Sequence, residues 1–432
     1  MLPNCNRRYT EPGALLPQTT GHQHMQHAIV ETPSHRMSKR DVRLDFFRGL
    51  AMFIIFIAHV PGNTWTLWIP ARFGFSDATE IFVFCSGMAS AIAFGGVYAR
   101  QGWLIGTSRA VYRIWQVYWA HIALFLVIAA MLVAVDDAFG FDRLHIKQLN
   151  LVPFFDNPDI NLVGLLTLTY VPNYFDILPM YIGILMLLPI VMAIAGYSKP
   201  AAGVFVIALW LIANFDMLNL PAEPWSDRSW FFNPFGWQLV FFTGFAFMSG
   251  WLRPPPIERR LIYIAIALLV ISIPFAYFRI YSEFELLKQS RQVLRPFYEK
   301  SEFGIFRYIH FLALAYLAYA AVGPQGVRLQ TGALWGKVVD IIRLVGQQSL
   351  PVFLASMVIA QAMGVALNLT GRNLLFIAAA NFTGFALLIV TAKCAAFFKS
   401  QPWKQQGQKR MGASGAVSAA SLGTSGQGVR NI

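Results

Sequence analysis

The chain has 432 residues, of which 56% are hydrophobic and 13% charged, with 34 Lys and Arg against 21 Asp and Glu and a net charge of +13. Windows of about 20 apolar residues recur along it, the length that crosses a hydrocarbon core, so the composition excludes a soluble globular domain and fits a polytopic membrane protein. The positive balance follows from membrane topology and anionic lipid and needs no nucleic acid partner, and the scattered Cys5, Cys85 and Cys394 fit neither a disulfide framework nor a thiolate metal site.

Residues 1–40 are polar and lack a continuous apolar run; they are expected to form a disordered tail without a cleavable signal peptide, so that the first span serves as the signal. His22, His24 and His27 fall in this tail, where a solvated segment is a plainer reading than a metal site. Hydropathy then predicts about ten spans, near 44–60, 77–99, 108–135, 177–195, 201–215, 236–252, 259–278, 304–322, 349–369 and 374–398. All are helices, because lipid leaves backbone groups no other partner outside a closed barrel, and these runs are too long for barrel strands. The stretch 161–175, NLVGLLTLTYVPNYF, reads either as a re-entrant or interfacial piece or as loop. Residues 401–432, rich in Gly, Ser, Ala and Gln from 404 onward, are expected to be a second disordered tail, which leaves 41–400 as one transmembrane domain.

Basic residues orient the spans. Arg36, Lys39, Arg40 and Arg43 precede the first, and Arg100, Arg109, Lys199, Arg253, Arg259, Arg260, Arg328, Lys337, Arg343 and Lys399 fall on the same side. Asp136, Asp137, Asp142, Asp156, Asp159, Asp216, Glu223 and Asp227 fall on the other, and the loop 279–303 is mixed. The positive-inside rule therefore predicts that both termini are cytoplasmic, in a bacterial inner membrane.

Several apolar runs carry polar groups that lipid makes costly, and such groups mark function by default. In RLDFFRGLAMFIIFIAHVPGN (43–63), the eleven steps from Arg48 to His59 return to within about 20° of one helix face, displaced by about 16 Å along the axis. One cationic group and one proton-transfer group thus lie along a single path, with Asp45 one turn before Arg48. The blander reading makes Asp45 and Arg48 an interfacial pair and His59 an interface histidine. In FGFSDATEIFVFCSG (73–87), Asp77 and Glu80 share a face, and the short loop after His59 returns them to its rim, where a carboxylate can orient an imidazole; an N-cap with Glu80 in the first turn explains the same letters. Arg109, Arg113 and His121 follow in SRAVYRIWQVYWAHI, the arginines suited either to a phosphate-bearing cytosolic donor or, beside Trp115 and Trp119, to lipid headgroups. Gln238, Arg307, His310, Gln347, Gln348 and Ser349 are further polar residues in apolar runs, a setting in which Gln and Ser often join helices.

Together the blocks RDVRLDFFRGLAMFIIFIAHVPGN, FGFSDATEIFVFCSG, DILPMYIGILMLLP, FFNPFGWQLVFFTGF and GQQSLPVFLAS, spread over residues 40–397, resemble the OpgC family of membrane proteins that succinylate osmoregulated periplasmic glucans, related to the acyltransferase 3 group. The resemblance implies an acyltransferase 3-like bundle in which His59 stands at the position of the first-span histidine proposed to act in transfer and Arg48 at that of the first-span arginine. It implies transfer of an acyl group, succinyl first among the candidates, from cytosolic acyl-CoA as donor substrate to a hydroxyl of a periplasmic or surface glycan acceptor. Neither a bound cofactor nor a metal is expected.

The candidate catalytic residues are His59, Asp77 and Glu80, and the candidate substrate-binding residues are Arg48, Arg109, Arg113, His121, Gln238 and His310. His59 fits either a general base or a transient acyl carrier. The alternative from another class is a multi-pass transporter or flippase for a glycan precursor or small anion, in which the same charges bind the carried ion.

Overall fold

The chain divides into two units, 1–40 and 41–432, and the computed structural model describes residues 41–403. Both expected tails, with His22, His24 and His27, lie outside the described residues except for 401–403.

The described residues form helices and no β-strand, apart from one isolated bridge between Pro221 and Ser229. α1 (Val42–His59) is started by Asp41, whose carboxylate accepts the Arg43 backbone N–H at 2.9 Å. Two 3-10 turns, Thr64–Trp68 and Pro70–Arg72, lead to α2 (Ala78–Ser90), which runs through a π-helical turn, Ala91–Gly95, into α3 (Gly96–Phe139). Gly102 breaks this long run at φ 83°, a backbone state that favours glycine, so two helices meet there. Three short helices follow, α4 (Leu144–Gln148), α5 (Val152–Asp156) and α6 (Pro158–Thr167). The ambiguous stretch 161–175 is therefore part α6 and part irregular chain, with Val171 N–H donating to the Ala222 carbonyl at 2.8 Å.

Next come α7 (Ile177–Tyr197), α8 (Lys199–Asn214), α9 (Pro234–Met248) and α10 (Arg259–Ala276). The mixed loop folds into α11 (Phe278–Tyr281), α12 (Glu285–Val293) and α13 (Arg295–Tyr298) before α14 (Ile305–Val322). A 3-10 segment, Pro324–Gln330, leads to α15 (Ala333–Gln347), α16 (Ser349–Thr370) and α17 (Leu374–Ser400).

Each of the ten segments read as spans is helical, but among the described residues six helical runs are long and apolar enough to cross a membrane, with 78–139 counted as one run. α8 and α9 are shorter apolar helices, and α1 carries Arg43, Asp45 and Arg48 within its 18 residues. Hydrogen bonds sort the helix ends into two sets. Arg48 meets Ser349 and Asp45 meets Gln347 at one, while Asp77 meets Lys300 and Pro61 meets Arg372 at the other.

No span is predicted between 322 and 349, yet Lys337 and Arg343 lie on a helix there, α15. That helix packs on α1 through missing side chains: a Cβ on Gly49 would stand 1.9 Å from the Ile342 carbonyl oxygen, and one on Gly346 would stand 1.9 Å from that of Asp45. Hydropathy cannot find α15, because a helix with one polar face resembles a loop to a window that averages around it. Gly346→Ala is expected to cost about 1–3 kcal/mol by overpacking and to lower the melting temperature of the detergent-extracted protein. Gly336→Ala on the same helix has nothing within 4 Å and is expected to be neutral. Equal melting of the two variants would refute the close crossing.

Candidate functional site

α1 delivers two of the predicted residues to opposite ends of one helix. Near its start Asp45 is fully buried and accepts a hydrogen bond from Gln347 Nε2 at 3.1 Å, while Arg48 Nη2 donates to Ser349 Oγ. The charges of Arg48 and Asp45 also act on Cys85 of α2, so four elements, α1, α2, α15 and α16, converge there. Residues that read as helix glue, Gln347 and Ser349, are thus the partners of the first-span charges.

At the far end His59 is half-buried, and its Nδ1 lies 2.7 Å from the Ile55 carbonyl. A carbonyl only accepts, so Nδ1 carries the proton and Nε2 holds the lone pair. This differs from the expectation that Asp77 or Glu80 orients the ring. The backbone of the preceding turn orients it, and the Tyr174 ring lies edge-on to it at 5.2 Å. Tyr174 is itself held at φ 85°, a costly state for a bulky residue, with its hydroxyl donating to the Met357 carbonyl at 2.7 Å.

Asp77 and Glu80 do form the capping box of α2: the Asp77 carboxylate accepts from the Thr79 N–H at 2.7 Å, and Glu80 Oε2 accepts from the Asp77 N–H at 2.8 Å. Both carboxylates then face cations. Lys300 Nζ lies 2.6 Å from Asp77, and Arg307 reaches Glu80 at 2.5 Å and Asp77 at 3.5 Å. Glu80 is fully buried and Arg307 is 7% exposed, so each is costly without the other. The charges of Lys300 and Asp77 are the ones that act on the His59 ring. Asp77 therefore belongs to the same region as His59, joined to it through its field and not by a hydrogen bond, while Glu80 is tied to Asp77 through Arg307.

His310, one turn beyond Arg307 on α14, completes the cluster. Its Nδ1 accepts from the Ser76 N–H at 3.3 Å and lies 2.7 Å from Ser76 Oγ, and Gly74 leaves room for its other edge, where a Cβ would stand 2.0 Å from Nε2. A cavity of about 110 Å³ beside this network is lined by Gly74, Phe75, Asp77, Arg291, Tyr298 and Arg307. Arg291 lies over the Tyr298 ring at 4.6 Å, and Tyr298 stacks on Phe75 at 5.3 Å.

The remaining predicted residues do not join these groups. Arg109 is exposed and Arg113 donates to Gln116 at 3.1 Å, on a helix whose Val111, Tyr112, Trp115 and Trp119 are also exposed, the composition of a lipid-facing belt. His121 is fully buried, and neither ring nitrogen has a hydrogen-bond partner among the described residues. Gln238 joins α9 to α8, its Nε2 donating to the Val206 carbonyl at 2.7 Å. Lys300 and Arg307 lie in stretches already noted for their charge, but no local pattern ties them to Asp77 and Glu80, 223 and 227 residues away in sequence.

No group of three or more potential metal ligands occurs among the described residues. Near the Arg48 end of the molecule a larger cavity, about 740 Å³, opens among the π-helical turn and the ends of α7 and α9, with Tyr98, Trp103, Lys199, Ser249 and Trp251 in its wall. In comparison with known proteins, residues 40–400 match the family model described as OpgC protein. No curated protein and no solved structure matches the chain.

Proposed function

The chain belongs to the OpgC family, a membership that makes it a membrane-bound transferase acting on glucan, and from this premise we propose that it moves a succinyl group from cytosolic succinyl-CoA to a hydroxyl of a periplasmic glucan. The observation that carries the reading is the state of His59. Its Nδ1–H is tied to the Ile55 carbonyl, which leaves Nε2 as a base at the end of a helix whose other end holds Arg48. In the proposed reaction Nε2 takes the proton of the sugar hydroxyl as its oxygen attacks the thioester carbonyl; the carbon–sulfur bond then breaks and the imidazolium returns its proton to the leaving thiolate.

The proposal puts the donor on the basic face, the side that the positive-inside rule assigns to the cytoplasm, and the acceptor on the face of His59 and Asp77. The 740 Å³ cavity on the basic face lies within the size range of small-molecule sites and carries Lys199 in its wall. Arg109 and Arg113, on the exposed face of α3 and outside the wall of this cavity, are proposed to meet donor phosphates at the membrane surface. In the transport alternative the ion-pair residues would bind a carried ion, yet here two cations and two carboxylates neutralise one another.

The direct test is mass analysis of periplasmic glucan from cells that express the protein, with a gain of one succinyl group per modified hydroxyl as the expected result. Unmodified glucan at full protein level would overturn the proposal. Arg48→Lys is expected to lose at least about tenfold in transfer, because Lys keeps the charge and loses the planar fork. Full transfer in that variant would leave Arg48 as an anchor between α1 and α16.

A further inference from the structure

A buried histidine–carboxylate pair lies on the His59 side of the molecule, outside the site just described. Asp136, near the end of α3, is 5% exposed, and His145 of α4 is 3% exposed. Asp136 Oδ1 lies 2.5 Å from His145 Nδ1, and Oδ2 accepts the backbone N–H groups of His145 at 3.1 Å and Ile146 at 3.3 Å. The turn that returns His145 onto Asp136 is held in the left-handed region at Asp142 (φ 45°) and Arg143 (φ 60°), a conformation that persists only where the surroundings impose it.

From this pair the hydrogen bonds run in one direction. Arg372 donates to Asn368 Oδ1, so Asn368 presents its Nδ2 to His145 Nε2, 2.8 Å away. His145 Nε2 must therefore accept, its proton sits on Nδ1, and Nδ1 donates to Asp136. The other end of Arg372 donates from Nη1 to the Pro61 carbonyl at 2.6 Å, two residues after His59. The turn is shaped to receive it: Gly62 has φ 72°, and a Cβ there would stand 1.6 Å from Arg372 Nη1. Gly364 of α16 admits the Pro61 ring in the same way, since its Cβ would stand 2.5 Å from Pro61 Cδ.

We propose that Asp136, His145, Asn368 and Arg372 are positioning residues for transfer, a directed relay that anchors the Pro61–Gly62 turn to a buried carboxylate and thereby fixes the end of α1 that carries the His59 ring. The proposal rests on the reading that His59 serves in transfer. A second anchor, the reciprocal amide pair of Asn63 and Asn381 at 2.8 and 3.1 Å, holds the far side of the turn. The relay accounts for the near side. It predicts a particular dependence on residue 368, because an amide there gives one group to each neighbour.

Asn368→Leu interrupts the relay. Asn368→Asp keeps it connected, since the new carboxylate accepts from Arg372 and also from a doubly protonated His145, whose Nδ1 still donates to Asp136. Two readouts on the full-length protein in lipid nanodiscs test this: amide hydrogen exchange of the peptide that covers 57–64, and kcat and KM for succinyl transfer. Asn368→Leu is expected to speed exchange in that peptide about tenfold, with distant helices unchanged, and to lower kcat between about 10- and 100-fold with little change in KM, the effect of a displaced reacting group. Asn368→Asp is expected to recover most of both. Wild-type exchange in Asn368→Leu would overturn the relay, and faster exchange with wild-type kcat would overturn its positioning role. Because exchange needs no activity, a protein without transfer still shows whether the relay holds the turn, which separates this inference from the assignment of function.

Discussion

His59→Ala is expected to lower glucan succinylation by at least about 10²-fold while the protein still inserts and accumulates, since removal of a general base is worth roughly 10² to 10⁴ in rate. The ring packs edge-on to Tyr174 and is half-buried, so its truncation removes little of the core. Its one hydrogen bond goes to a carbonyl within its own helix, so no distant segment loses an anchor. The loss is therefore expected in kcat and not in abundance. Asp77→Asn is expected to behave differently, with a partial loss of both, because that carboxylate caps α2 and also holds Lys300. Mass analysis of periplasmic glucan at matched protein level distinguishes the two patterns. Wild-type acyl content in His59→Ala would return the residue to the role of an interface histidine.

Arg307→Met is expected to give the largest loss of folded protein of any single change in the cluster. It removes the guanidinium that reaches both Glu80 and Asp77 and leaves Glu80, which no solvent touches, without its cation. Breaking a buried pair from one side costs about 3–5 kcal/mol, whereas replacing both partners by well-packed neutral groups is often tolerated. The double variant Glu80→Gln with Arg307→Met is therefore expected to regain much of the stability, read as thermal melting of the extracted protein by size exclusion. Lys300→Met, whose partner is less buried, is expected to cost less. Arg307→Met melting with wild type would show that the pair carries no stability. A double variant that folds but transfers poorly would assign the network to the chemistry as well as to the fold.

The helices themselves were legible in the sequence, and the reason is the solvent. Lipid turns a run of apolar residues into a helix with no competing structure, so the ten runs from 44–60 to 374–398 all appear as helices within a few residues. The alignment of Arg48 and His59 on α1 was legible for a similar reason, since it needs only the pitch of one helix. The capping box of Asp77 and Glu80 was equally local, a contact across three residues. Where the signal was amphipathic and not apolar, as in α15, tertiary packing decided, and Gly49 and Gly346 became meaningful only when two backbones met. Partner choice was decided by the tertiary structure alone. Asp77 finds Lys300 and Glu80 finds Arg307 across 223 and 227 residues, and Arg48 finds Ser349 across 301. An intramembrane charge announces that it needs a partner, because burial makes solitude costly, but the energy that selects the partner depends on which helix ends lie side by side, and that is a property of the packed bundle.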